Sequence, residues 1–147
     1  MKILLVCSTG GHFQTLQQLR PFWGSYDHSW VTFKTTHTEA ALQSETVHWA
    51  FGPANRGRRN LLQNFWLAWQ VLTKEKPDLV LSTGAWVAVP FVILAKARGS
   101  QTAFVESVAR AEQLSLSARL LVPFLDALYV YWPQLKARYP KAELITS

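Results

Sequence analysis

Short, nearly continuous apolar runs alternate with helix-length segments from one end of this sequence to the other, and that alternation constrains its fold most. The runs fall at 2–7, 28–33, 46–51, 79–82, 102–105 and 127–131, with a weaker one at 143–145. They are rich in Val, Leu, Ile and aromatic residues, and most lack the in–out alternation of a half-exposed strand. This is the pattern of parallel strands buried on both faces. Between them, 13–22, 39–43, 59–74, 87–97, 115–125 and 134–138 read as helices. Pro77-Asp78 and Arg98-Gly99 punctuate two helix ends before the next strand. The expected fold is α/β, a doubly wound, mostly parallel sheet, as one Rossmann-like domain over 1–147. The length suits one core without a disulfide or metal staple.

Composition narrows the partners. Charged residues are 16% of the chain, against roughly 25% in an average soluble domain. There are seven tryptophans. Few charges and many large aromatics imply apolar surface covered by a partner or a membrane. Fifteen basic residues against nine acidic ones give +6, which favours an anionic partner: phosphate, a phospholipid surface or nucleic acid. A single cysteine excludes an intramolecular disulfide. Cys7, His28, His37 and His48 lack ligand-like spacing, so no metal site is expected. The first apolar run leads into Gly10-Gly11-His12 rather than a cleavage site, and so reads as a strand. The longest near-apolar run, 85–95, is about half of the roughly 20 residues needed to span a bilayer. The expected location is cytoplasmic, peripheral on the inner face of the cytoplasmic membrane.

Ligands of doubly wound sheets bind beyond the carboxyl ends of the strands, so four loops matter. The first is Ser8-Thr9-Gly10-Gly11-His12. Its glycines let backbone approach a ligand, and the helix start offers free N–H groups, a design for phosphate. It is neither Gly-x-Gly-x-x-Gly nor a P-loop, which argues against NAD and P-loop nucleotides. His12 is placed to reach the cleft; the plainer alternative is a capped helix start with a solvated histidine. The second loop runs from Ser82-Thr83-Gly84-Ala85-Trp86 to Pro90, and the alternative there is an ordinary βα turn with Trp86 in the core. The third carries Glu106, Ser107 and Arg110. An acid at a strand end suits sugar hydroxyls, and Arg110 suits phosphate or an ion pair with Glu106.

The fourth loop puts Arg56, Arg58 and Arg59 before a Trp-rich helix. On a helical wheel Leu61, Leu62, Phe65, Trp66, Ala68, Trp69 and Leu72 form one wide apolar arc, with Leu67 and Val71 as a second stripe. Such a helix is buried on both sides or meets lipid or a partner. The arginines suit anionic headgroups. The alternative is a core helix with a solvated basic loop.

The order of these loops, with Leu125-Asp126-Ala127-Leu128-Tyr129-Val130-Tyr131-Trp132-Pro133-Gln134-Leu135 behind them, resembles a known family. It is similar to the asparagine-linked glycosylation protein 14-like proteins, which include bacterial exopolysaccharide and capsule glycosyltransferase subunits. More distantly, Gly10-Gly11-His12 and the Gly84 to Pro90 loop resemble the amino-terminal domain of the lipid II glycosyltransferase. The resemblance implies the amino-terminal half of a GT-B glycosyltransferase, the half that binds a polyprenyl-pyrophosphate-linked acceptor. A separate subunit would bind the UDP-sugar, which is a substrate, and no cofactor or metal is implied. On this analogy Ser8, Thr9, Gly10, Gly11 and His12 face the acceptor pyrophosphate and reacting hydroxyl. Gly84, Ala85 and Trp86 form a second wall, and Glu106, Ser107 and Arg110 a third. A histidine, with an ordinary pKa near 6.5, suits the role of base. The family's eukaryotic members begin with a membrane-spanning helix that this sequence lacks. Recruitment is therefore expected through surface contacts, with Arg56, Arg58, Arg59, Trp66 and Trp69 as candidates.

Two other classes compete. One is a scaffold subunit that recruits a catalytic partner to the membrane and supplies no reacting group. The other is a nucleic-acid-binding module, disfavoured because the basic residues are not interleaved with an aromatic platform.

Overall fold

Each expected apolar run forms a strand of one parallel sheet. A computed structural model describes residues 1–52 and 58–145, with the backbone alone at Arg58. In chain order the elements are β1 (Lys2–Cys7), α1 (Gly11–Gln18), α2 (Arg20–Trp23), β2 (Asp27–Thr32), α3 (Thr36–Ala41), β3 (Val47–Trp49) and α4 (Arg58–Glu75). There follow β4 (Leu79–Gly84), α5 (Ala88–Ala97), β5 (Gln101–Val105), α6 (Leu116–Leu121), β6 (Ala127–Val130), α7 (Pro133–Arg138) and β7 (Glu143–Leu144). The sheet order is β3-β2-β1-β4-β5-β6-β7 and every pairing is parallel. The order reverses at β1, and there the first strand's loop meets that of β4.

Where elements differ from expectation, a local cause is visible. The helix expected over 13–22 is two, because Pro21 cannot continue α1 but suits the first turn of α2. The indole N–H of Trp23 fastens the corner by donating to the Leu16 carbonyl at 2.9 Å. α3 starts three residues early because Thr35 and Thr38 form a capping box. The third strand stops at Trp49. Beyond it the Asn64 side chain of α4 takes the Phe51 N–H at 2.9 Å and donates to the Phe51 carbonyl at 3.3 Å. The helix expected over 115–125 ends at Leu121 and tightens into a 3-10 turn, Val122–Phe124, around Pro123.

Successive residues of β1 enter opposite cores, as the pleat requires. Leu4 and Val6 pack with Ala68, Val71 and Leu72 of α4 and with Phe91 and Val92 of α5. Ile3, Leu5 and Cys7 pack with Phe13, Leu16, Trp23 and Trp30. Full burial stabilises each such side chain by roughly 1.5–3 kcal/mol, so truncation of Leu4 would cost about 2–5 kcal/mol.

Ion pairs fasten the ends of several elements. Lys2 Nζ lies 2.8 Å and His48 Nε2 2.6 Å from the carboxylate of Glu75, the last residue of α4. Burial pushes the Glu75 carboxyl up, but the hydrogen bonds from Lys2 and His48 outweigh it and hold it at about 2. Lys96 and Asp126 pair at 2.5 Å.

Candidate active site

The carboxyl ends of β1, β4 and β5 deliver three loops to one cleft. β1 and β4 are joined there by an irregularity in register: Val6 faces Ser82, but Cys7 faces Gly84. Thr83 is the extra residue on β4, and bulges of this kind re-aim groups beside functional sites. The Ser8 N–H closes the junction by donating to the Gly84 carbonyl at 2.7 Å. Gly10 then starts α1 at φ 73°, a backbone state that favours glycine. A Cβ at Gly10 or Gly11 would meet nothing within 4 Å, so this backbone faces open space.

His12, in the first turn of α1, is held at two points by Thr83. Its Nδ1 lies 2.8 Å from the Thr83 carbonyl, and the Thr83 hydroxyl donates to the His12 carbonyl at 2.6 Å. A carbonyl oxygen only accepts, so the neutral ring carries its proton on Nδ1. Nε2 keeps its lone pair and has no partner among the described residues. Gly84 makes room for the ring: at φ 113°, a Cβ there would stand 3.0 Å from both Cε1 and Nδ1 of His12.

Glu106, 1% exposed, follows β5. One carboxylate oxygen accepts the Ser107 N–H at 2.8 Å; the other accepts the Ser115 N–H at 2.8 Å and the Ser115 hydroxyl at 3.0 Å. The carboxylate thus folds the 106–115 loop on itself, and Ser115 in turn caps α6 through the Ala118 N–H. The Glu106–Arg110 ion pair considered from the sequence does not form. With Glu106 consumed by neutral donors, Arg110 has no carboxylate partner among the described residues, nor has Arg119 of α6.

The cleft has a volume of about 620 Å³ and is lined by His12, Ala85, Trp86, Glu106, Ser107, Ala109, Arg110, Ser115, Leu116, Ser117 and Arg119. That is within the range of small-molecule sites, about 300–1,000 Å³. Of the residues expected from sequence, His12, Ala85, Trp86, Glu106, Ser107 and Arg110 meet on it. Ser8, Thr9, Gly10, Gly11 and Gly84 do not line it; they form the turns that carry His12 and Ala85. Sequence reasoning missed the other five lining residues, Ala109, Ser115, Leu116, Ser117 and Arg119. The signal was Ser115 as a helix cap, which places Arg119 one turn into α6.

The apolar arc expected on α4 is divided. Ala68 and Leu72 join Val71 in the core, and Leu61 and Phe65 are half-buried. Leu62, Trp66 and Trp69 stand outward at 69%, 60% and 54% exposure, one stripe at i, i+4, i+7. The Arg98 guanidinium lies 4.9 Å over the Trp69 ring. α4 leads from the carboxyl end of β3 to the amino end of β4, so Arg59, exposed, sits on the cleft side of the sheet. Arg56 and the side chain of Arg58 lie outside the described residues. No helix among the described residues is long and apolar enough to cross a membrane. Burial pushes the Cys7 thiol up to about 12, which leaves it unreactive.

A Rossmann-like α/β domain with its cleft at the strand-order reversal is the building block of GT-B folds. Over 99% of its length the chain superposes on MurG of Acinetobacter baumannii with a TM-score of 0.77 at 18% identity, covering 46% of that chain. It superposes over 99% of its length on UDP-GlcNAc 2-epimerase of Methanocaldococcus jannaschii at 0.76 and 16%, covering 45% of that chain. The model of the family "oligosaccharide biosynthesis protein Alg14 like" matches residues 56–147, and the chain belongs to that family. It is 37% identical over 87 residues to the human UDP-N-acetylglucosamine transferase subunit ALG14, matching 55% of this chain and 40% of that protein. It is 33% identical over 79 residues to a UDP-N-acetylglucosamine–N-acetylmuramyl-(pentapeptide) pyrophosphoryl-undecaprenol N-acetylglucosamine transferase of Geobacillus thermodenitrificans. That match covers 52% of this chain and 21% of that protein. The aligned segment thus spans about two-fifths or less of these curated relatives.

Proposed function

We propose that this chain is the acceptor-binding subunit of a two-subunit glycosyltransferase. It would act with a donor-binding subunit to transfer a sugar from a UDP-sugar to a polyprenyl-pyrophosphate-linked saccharide in polysaccharide synthesis. The observation that carries the reading is His12 on a cationic cleft where, among the described residues, Nε2 is unpartnered and Arg110 and Arg119 meet no carboxylate. The relatives support it by name: one is a UDP-N-acetylglucosamine transferase subunit, another acts on a pyrophosphoryl-undecaprenol.

The acceptor diphosphate lies against the guanidiniums of Arg110 and Arg119, which offer several donors each. The acceptor hydroxyl gives its proton to His12 Nε2 as its oxygen bonds to the anomeric carbon. The bond from that carbon to UDP breaks with inversion, and UDP leaves on the partner's side. The step needs no metal or cofactor. The stripe of Leu62, Trp66 and Trp69, with Arg59 and the neighbouring arginines, would hold the cleft at the cytoplasmic face of the membrane, where a lipid-linked acceptor lies.

Co-expression with a donor-binding subunit, followed by assay of sugar transfer to a polyprenyl-pyrophosphate acceptor, tests the reading. The pair is expected to be active and the chain alone inactive. Turnover by the chain alone would overturn the two-subunit reading. Full activity of the pair with His12→Ala at saturating acceptor would leave the scaffold reading instead.

A further inference from the structure

We infer that Thr83 is a positioning residue that fixes the tautomer of His12, and thereby decides which ring nitrogen can take a proton. The inference rests on the proposed role of His12 as base and adds to it a residue that does not touch substrate. Thr83 is 1% exposed and does not line the cleft. It is the surplus residue of the β4 bulge: Ser82 and Gly84 have register partners on β1, and Thr83 has none on β1 or β5. Its carbonyl and hydroxyl are therefore available, and both go to His12. The carbonyl accepts from Nδ1 at 2.8 Å, and the hydroxyl donates to the His12 carbonyl at 2.6 Å. The two bonds run in opposite directions across the same pair of residues. One bond fixes the ring, and the other fixes the backbone that carries it.

The consequence is chemical. A neutral imidazole carries one N–H, and the nitrogen without it is the base. In solution either nitrogen can hold the proton. Here the Thr83 carbonyl stabilises only the Nδ1–H form, leaving the lone pair on Nε2, the nitrogen without a partner among the described residues. Without the hydroxyl bond the peptide carrying that carbonyl loses one of its two ties to α1, the bond to Nδ1 alone is left to hold the ring, and Nε2–H imidazole becomes populated. That form offers the acceptor hydroxyl a donor where a base is needed. Gly84 completes the fit, since a Cβ there would reach within 3.0 Å of the ring.

The test is ¹⁵N NMR of the histidine rings, with His12 assigned by loss of its signals in His12→Asn, beside kinetics of the assembled transferase. In the wild type, at a pH where the ring is neutral, His12 Nδ1 is expected to be protonated and Nε2 not. Thr83→Val, which keeps shape and removes the hydroxyl, should give a mixture of tautomers. It should lower kcat by about tenfold, a part of the about 10²–10⁴-fold that a positioned base supplies, with acceptor KM unchanged. Thr83→Ser should restore both the tautomer and the rate. Wild-type His12 found with its proton on Nε2 overturns the inference without any variant, even if Thr83→Val fails to fold. An unchanged tautomer in Thr83→Val also overturns it, while a large loss in His12→Ala leaves the base reading standing. A shifted tautomer with wild-type kcat overturns it as well, and full activity of His12→Ala would then remove the base reading too.

Discussion

Glu75 and Glu106 are both shielded carboxylates, and they are satisfied by opposite means. Glu75, away from the cleft, is held by the cationic Lys2 and by His48. Glu106, at the cleft, is held by two backbone N–H groups and a serine hydroxyl. In the first case charge is cancelled and secondary structure is fastened. In the second the carboxylate orders a loop through neutral donors and leaves the nearby guanidiniums uncancelled. None of the ion pairs among the described residues involves a residue lining the cleft. The ion pairs that fasten the fold and the groups that line the cleft are thus separated in space, and substitutions can show whether they are separated in energy.

The sharpest test is at His12. In the assembled transferase His12→Ala should lower turnover by about 10²–10⁴-fold. Stability should fall by only about 1 kcal/mol, the worth of the bond to Thr83. His12→Asn should restore little turnover, because an amide takes no proton at neutral pH. Next come the cleft arginines. Arg110→Ser and Arg119→Ser together should raise acceptor KM by about 100-fold, each lost charge-assisted contact giving about tenfold. The urea midpoint should stay where it is, because neither guanidinium is in an ion pair among the described residues. A fall in midpoint as large as that of a core variant would break the separation.

Glu75→Gln should do the reverse. It should cost about 2 kcal/mol of stability at pH 7 and leave the kinetics alone. Its pH dependence has a definite sign. The Glu75 carboxyl is held at about 2 in the folded protein, below the ordinary value of 4.5. The stability this confers is fully present above about 4.5 and is lost as pH falls from there toward 2. Urea midpoints measured at pH 7 and pH 3 should therefore converge between wild type and Glu75→Gln. The smallest effect is expected from Arg59→Ser, about fivefold in partition onto anionic vesicles, which corresponds to about 1 kcal/mol per basic residue near such a surface. Salt should reduce the difference. Equal partition of the two proteins would mean that the outward stripe of α4 does not carry the membrane contact.

The strands were legible because parallel strands buried on both faces leave unbroken apolar runs. All seven expected runs are strands, with ends shifted by up to two residues. Helix corners were harder. Pro21 ends α1 in a way that only the Trp23 bond to Leu16 makes unambiguous. The loops were legible as loops, and six of their expected residues do meet on the cleft. What composition and spacing could not give was the partner of each group. Glu106 beside Arg110 in sequence suggested a pair, but its acceptors are filled by Ser107 and by Ser115, nine residues on. Likewise a helical wheel counts Leu62, Trp66 and Trp69 as apolar without telling which side of α4 the sheet takes.

The place of β1 in the middle of the sheet has a bearing on how the chain comes together. β1 is made before both its neighbours, and one edge finds β2 within about 25 residues, as the pairing of Lys2 with Asp27 requires. The other edge waits for β4, where Ile3 meets Leu79. At about 5–20 residues per second on the ribosome, that is a delay of several seconds with an apolar strand edge open. Closing the gap also brings Thr83 to His12, 71 positions apart. The docking of one late strand therefore finishes both the centre of the sheet and the setting of the histidine, so a nascent chain that has not completed its core has no assembled site.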